Sequence, residues 1–210
     1  VEMIKSCGEE VPNWINKMSD SGIKSFYKFE DGKKKFYDVN SETYINVPSS
    51  ENHYILDAFR ENNQILKNPE CTVHDIGEGV MCIEFQTKGN SIGEGIAKGI
   101  NEAIDIAERD GWNGIVIGNN EKQFSVGANL MNMGMMAMQK NFDEIEKFLV
   151  GFQKILMRMR TCNVPVVSAT HGFVMGGGLE VSIHCDAGIH ASESYIGLVE
   201  AGVGLIPGGG

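Results

Sequence analysis

Between residues 80 and 170, short and almost wholly apolar runs alternate with longer stretches whose apolar residues recur at helical spacing. A chain patterned this way can bury its apolar surface only as a sheet with helices packed against it. The first run, 80–85, is followed by Ile92, Ile96, Ile100, Ile104 and Ala107, while Glu94, Lys98, Glu102, Asp105 and Glu108 fall on other faces. This predicts an amphipathic helix. A second buried strand is expected at 114–118, a second helix with Ile145, Phe148, Leu149, Phe152, Ile155, Leu156 and Met159 on one side, and a third strand at 164–169. Strand, helix, strand, helix, strand implies right-handed crossovers and an α/β core. Ahead of it, Val73 and Ile76, the turn Gly77-Glu78-Gly79 and the run from Val80 to Phe85 read as a hairpin entering the main fold.

Glycine use divides the chain. Only Gly8, Gly22 and Gly32 of its 26 glycines precede residue 71, so two segments with different tasks are expected, 1–70 and 71–210. In the first, a helix is predicted over 11–18. Phe26, Phe29, Phe36, Tyr37 and Tyr44 surround an Asp31-Gly32 turn signal flanked by Lys33 to Lys35, as in a small hairpin. A short helix over 52–66 is expected after Pro48-Ser49-Ser50, with Asn68-Pro69 closing the segment. The appendage is thus a small α+β unit.

Hydrophobic residues make up 42% of the 210, enough for a core, and the formal charge of -10 matches neither nucleic acid nor an anionic membrane surface. No apolar run is long enough to span a bilayer. Cys7, Cys71, Cys82, Cys162 and Cys185 show neither a zinc spacing nor a disulfide framework, so reduced thiols and a cytoplasmic setting are expected. Both ends read as cut from a longer chain, since no apolar leader opens it and it stops within Gly208-Gly209-Gly210.

The stretch richest in chemistry is 165–180. A buried strand runs into a loop, then into Gly176-Gly177-Gly178, then into a helix with Glu180 in its first turn. Such glycines let the backbone approach a ligand, and their N–H groups at a helix start can face negative charge; a tight structural turn is the alternative. A second loop, 122–130, follows the Ile115 to Ile117 strand and would reach the same end of the sheet. The third element is Glu200, a lone acid among Gly197, Leu198, Val199 and Ala201. It must be paired, solvated in a cleft or raised in pKa, and simple surface exposure weighs equally. Met131, Met133, Met135, Met136 and Met138 read first as flexible packing and second as the adaptable wall of an apolar pocket.

Together these pieces resemble the crotonase superfamily, also called the enoyl-CoA hydratase/isomerase family, over roughly 71–210. Its loop F-x-x-G-A-D is met by Phe124-Ser125-Val126-Gly127-Ala128-Asn129, with Asn129 where many members carry Asp. Its G-x-x-x-G-G-G-x-E is met by residues 172–180, and its acid before G-x-x-P-G by Glu200 and Gly204-Leu205-Ile206-Pro207-Gly208. The resemblance implies the ββα spiral core of ClpP/crotonase folds, here without the C-terminal helices that close the acyl pocket and trimerise, so that the isolated piece would be inactive. It implies an oxyanion hole from the Val126 and Gly177 amides, adjoining substrate-binding backbone at Gly127, Ala128 and Gly176, and two catalytic glutamates. Glu180 would be the water-activating base and Glu200 the proton donor to C2. The implied reaction is hydration of trans-2-enoyl-CoA in fatty-acid β-oxidation; the alternatives are Δ3,Δ2-enoyl-CoA isomerisation and a non-catalytic scaffold. The acyl-CoA is the expected partner, CoA entering as part of the substrate, and the full-length protein is expected to form a homo-oligomer.

Residues 12–18, 25–28 and 30–38 resemble the tail of the dehydrogenase portion of fused 3-hydroxyacyl-CoA dehydrogenase/enoyl-CoA hydratase proteins, so NAD is expected only outside this chain. Two features are expected to be structural. Gly93-Glu94-Gly95-Ile96-Ala97-Lys98-Gly99 imitates a dinucleotide fingerprint but lies inside a predicted helix, and the five histidines show no metal spacing. His171, beside Gly172 on the site loop, reads as a packing residue with a smaller claim to function.

Overall fold

A computed structural model describes residues 2–30, 33–48, 53–60 and 63–210, in two compact units, Val1–Ala58 and Phe59–Gly210. In the first, helices α1 (Glu2–Ser6) and α2 (Asn13–Asp20) precede an antiparallel meander of β1 (Tyr27–Glu30), β2 (Lys33–Asp38) and β3 (Thr43–Asn46). Pro12 sits at the N-cap of α2, where its missing N–H costs nothing. The aromatic residues singled out above are what the meander packs: Phe26 lies edge-on to Trp14 at 5.9 Å, and Tyr37, 3% exposed, edge-on to Tyr44. The Asp31-Gly32 turn and the proposed breaker Ser49-Ser50 lie outside the described residues.

The helix expected over 52–66 is not there. Its start, Asn52, lies outside the described residues; Leu56–Ala58 forms a single 3-10 turn, and Gln64–Lys67 is a strand, β4. Ile65 and Leu66 earn burial by packing on the core from a sheet edge, paired antiparallel with β5 (Cys71–Asp75). Nearest-neighbour spacing cannot distinguish a short apolar pair on a strand from one on a helix. The segment boundary expected at 70/71 therefore falls earlier, at Ala58/Phe59.

The second unit is built on a six-stranded sheet of order β10-β8-β7-β6-β5-β4. β5 and β6 (Val80–Phe85) form the expected hairpin, with Gly77, Glu78 and Gly79 all at positive φ in its turn. β6, β7 (Gly114–Ile117), β8 (Val166–Thr170) and β10 (Ala187–His190) run parallel. Helices α3 (Glu94–Asp110) and α5 (Phe142–Thr161) are the crossovers, and the core lies where they meet the sheet: Ile96, Ile100 and Ile104 from α3, Leu156 and Met159 from α5, Ile83, Phe85, Ile115 and Ile117 from the strands. The glycine-rich start of α3 serves packing. A Cβ on Gly95 would strike Glu70, one on Gly99 the Cys71 thiol, and the Glu70 carboxylate accepts from Ile96 N at 3.1 Å in the first turn.

Beyond the sheet, α4 (Leu130–Met138) follows the loop after β7. The loop after β8 leads through β9 (Phe173–Met175) into α6 (Gly177–Ile183), and β11 (Tyr195–Gly197), parallel to β9, precedes a 3-10 turn at Glu200–Val203. Among the described residues, no helix is long and apolar enough to cross a membrane. All five cysteines are free, and no group of His, Cys, Asp or Glu could hold a metal ion among the described residues.

Candidate active site

The loop 122–130 and the strand-to-helix turn 171–177 are stitched together by main-chain bonds. Phe124 N donates to His171 O at 2.9 Å, Ser125 N to Phe173 O at 3.0 Å, and Met175 N to Ser125 O at 3.0 Å. Two glycines let the backbones close. A Cβ on Gly127 would lie 2.8 Å from Met175 O, and one on Gly178 would lie 2.7 Å from the Ser125 Cβ. His171 belongs to this scaffold, its Nε2–H donating to Glu121 O at 2.6 Å.

The pairing decides which amides face inward, and it corrects one expectation. In a trans peptide the N–H points opposite to the preceding C=O. Because Ser125 O accepts from Met175, the Val126 N–H points away from β9 and donates to Gly89 O at 3.1 Å. Val126 N is therefore not an open donor. Gly127 N is also occupied, donating to the Ser125 hydroxyl at 3.1 Å. One peptide further on the direction reverses: Gly127 O accepts from Ile92 N at 2.8 Å, so the Ala128 N–H points away from Ile92. It lies 3.4 Å from where a Cβ of Gly177 would stand. Neither Ala128 N nor Gly177 N has an acceptor among the described residues. Within 126–128 and 176–177, the backbone that lines the cavity described below, the two amides without an acceptor among the described residues are thus Ala128 and Gly177. Gly177, as expected, sits in the first turn of α6, where N–H groups have no intrahelical partner.

Glu180 and Glu200, twenty residues apart, both line one cavity of about 470 Å³, along with Gly127, Ala128, Gly176 and Gly177. Glu180 is 3% exposed, and its Oε1 accepts from Gly209 N at 2.6 Å. Burial raises its pKa first and the neighbouring Glu200 carboxylate adds to this, against the pull of the Gly209 amide and of His184. His184, whose Nδ1–H donates to Glu180 O at 2.7 Å, ties the ring to the backbone of the same helix. Glu200 rides at the start of its 3-10 turn and lies over Gly176, where a Cβ would come within 2.8 Å of its Oε1; its Oε2 is buried and has no partner among the described residues. Of the readings open for Glu200, the cleft is the one observed.

The cavity's apolar wall includes Met133, Ile145, Phe148, Leu149, Phe152 and Leu205. Met133 thus fits the pocket-wall reading of the methionine cluster, whereas Met131 and Met138 are exposed and no residue of α4 is buried. Asn129 caps α4, accepting from Asn132 N at 3.3 Å, a task Asn and Asp perform about equally.

Sequence reasoning missed Ala128 N and Gly209 N as donors. The signal for Gly209 was present, since a second glycine tract marks a second close approach of backbone: its Cβ would lie 2.8 Å from the Glu180 carboxyl carbon.

A family model described as enoyl-CoA hydratase/isomerase matches residues 75–210. Among curated proteins, the "Probable 3-hydroxyacyl-CoA dehydrogenase" of Bacillus subtilis (strain 168) is 38% identical over 210 residues, covering 100% of this chain and 26% of its own length. The "Short-chain-enoyl-CoA hydratase" of Clostridium acetobutylicum is 36% identical over 96 residues, covering 46% of this chain and 35% of its own. The chain spans well under half the length of either relative. Among solved structures, the enoyl-CoA hydratase from Bacillus anthracis superposes with a TM-score of 0.61 at 23% identity, covering 67% of this chain and 55% of that one. At that identity the match speaks for the fold alone, and the fold is the crotonase-like one expected.

Proposed function

Because the chain belongs to the enoyl-CoA hydratase/isomerase family, we propose that its site hydrates trans-2-enoyl-CoA thioesters to 3-hydroxyacyl-CoA. The observation that carries this reading is the meeting, in one cavity, of two carboxylates and two unpaired main-chain amides. Addition of water to a C2=C3 bond conjugated with a thioester drives negative charge onto the carbonyl oxygen. Two fixed amides, Ala128 N–H and Gly177 N–H, suit that charge, and losing one such donor costs on the order of 3 kcal/mol in other enzymes. Glu180 takes the proton of the attacking water as its oxygen bonds to C3, and Glu200 delivers a proton to C2. A carboxylate raised by burial is the stronger base for that step. Since the two acids interact, their titrations belong to the pair.

The same reading extends to the parent protein as a fatty-acid β-oxidation enzyme that joins this activity to an NAD-dependent 3-hydroxyacyl-CoA dehydrogenase portion. Two experiments test the site. A crystal structure with an acyl-CoA analogue is expected to place the thioester oxygen within hydrogen-bond reach of Ala128 N and Gly177 N; contact with Val126 N instead would reinstate the other amide pair. Parallel assays of hydration and of Δ3,Δ2 isomerisation on the full-length protein separate the two chemistries of the family. Hydration is expected to dominate, because two carboxylates are available to hold one water, whereas proton shuttling needs one.

A further inference from the structure

Resting on Glu180 as the base, we infer that Gln153 is a positioning residue for that carboxylate, acting through the glycine tract 208–210. Gln153 is an exposed residue of α5 at the edge of the apolar stripe, one turn from Leu149 and Leu156, and its side chain borders the cavity that holds the two acids. Its Nε2–H donates to Gly208 O at 2.6 Å, and the next residue's N–H, Gly209, donates to Glu180 Oε1 at 2.6 Å. The tract therefore relays between an α5 side chain and the buried acid. Gly209 presses its bare backbone against Leu156 and Phe152, where a Cβ would lie 2.6 and 2.9 Å from their side chains. Three glycines in succession carry more conformational freedom than any other residues would, so a tether sets where their amides point. Among the described residues, Gln153 supplies the one side-chain hydrogen bond from α5 to this tract.

The charged and titratable groups around Glu180 are Glu200 from the 3-10 turn and His184 from its own helix; Arg160 of α5 borders the neighbouring hollow with His184 and Gly210. Apart from Gln153, the α5 residues that touch the tract, Leu149, Phe152 and Leu156, are apolar. Amide donation from Gly209 is the largest influence opposing the upward push of burial and Glu200, followed by His184 and the Gly210 amide. Loosening the tract weakens that donation, so the Glu180 pKa rises further.

The test is Gln153→Leu in the full-length protein, with Gln153→Met as a second variant of similar bulk, assayed for enoyl-CoA hydration across pH beside Glu180→Gln. For Gln153→Leu, kcat is expected to fall about tenfold, since small misplacements of a reacting group are costly. KM should stay within about twofold, and the acid limb of the kcat/KM profile, which reports the free enzyme's base, should move to higher pH. Melting temperature should be little changed, because the side chain is exposed. Wild-type kinetics and an unmoved acid limb in both variants would overturn the inference, as would a fall in kcat with the limb in its original place. Full hydration activity in Glu180→Gln overturns the parent reading instead, whatever the Gln153 variants do.

Discussion

Two glutamates of the second unit are almost completely buried, Glu84 at 1% exposed on β6 and Glu180 at 3% on α6, yet their surroundings drive them in opposite directions. Burial alone would raise Glu84, but the His74 ring at 3.1 Å and the Arg60 guanidinium, bound through both Nε and an η nitrogen, overcome it and hold the carboxyl at about 2. Glu180 has a second acid, Glu200, as its charged neighbour and an amide as its principal hydrogen-bond donor, and its pKa is raised. The first arrangement keeps a charge permanently compensated inside the sheet. The second leaves a carboxylate short of partners, facing an open cavity, and that is the condition under which an acid can exchange a proton with a ligand.

The comparison breaks most visibly under substitution by the neutral isostere. Glu180→Gln is expected to lower hydration about a thousandfold, the range that general-base catalysis contributes, while leaving stability unchanged or slightly raised; steady-state assays with a parallel denaturant titration would read both. Glu84→Ala is expected to do the reverse. Stripping one partner from a buried pair should cost about 3 kcal/mol, seen as a lowered denaturation midpoint with acyl-CoA affinity intact in the folded fraction; loss of affinity without loss of stability would contradict the structural role.

Acid sharpens the contrast. Glu84 has a folded pKa below its unfolded value, so its stabilisation is present above about pH 4.3 and is lost as pH falls toward 2. Glu180 has a raised folded pKa, so it destabilises the fold while ionised, and the penalty is relieved as pH falls through that value. Relative to wild type, Glu84→Gln should lose about 2 kcal/mol of the stability difference between pH 6 and pH 3, whereas Glu180→Gln should widen that difference. Equal slopes in all three proteins would show that neither acid titrates as its surroundings dictate. The smallest effect is expected from Arg60→Lys, which keeps the charge and loses the fork; with Arg60 partly exposed, the cost should stay below about 1 kcal/mol.

How much of this was legible in the sequence differs by element. The apolar spacing of α3 translated directly into structure because it repeats one period over several turns, and the runs of β6, β7 and β8 did so because they are too short for helices and alternate with two long helical stretches. β4 did not, since its Ile65-Leu66 pair is too short to show a period and gains its burial from pairing with β5. The stripe on α5 was legible as apolar but not as divided. Leu156 and Met159 enter the core, Ile145, Phe148 and Leu149 wall the cavity, and Phe152 does both, a division set by what packs against each.

Residue order alone determined that this chain makes a helix-covered parallel sheet and brings a glycine-lined turn and two acids to its loops. Periodicity and the freedom of glycine are local properties, written wherever the residues stand. Which amide opens toward the cavity, Ala128 and not Val126, was decided by tertiary structure: each peptide plane turns according to the carbonyl its neighbour pairs with, and those partners, β9 and Ile92, lie some fifty and thirty-five residues away along the chain. The opposite fates of Glu84 and Glu180 have the same origin, since a carboxylate's charge state depends on the groups that fold against it.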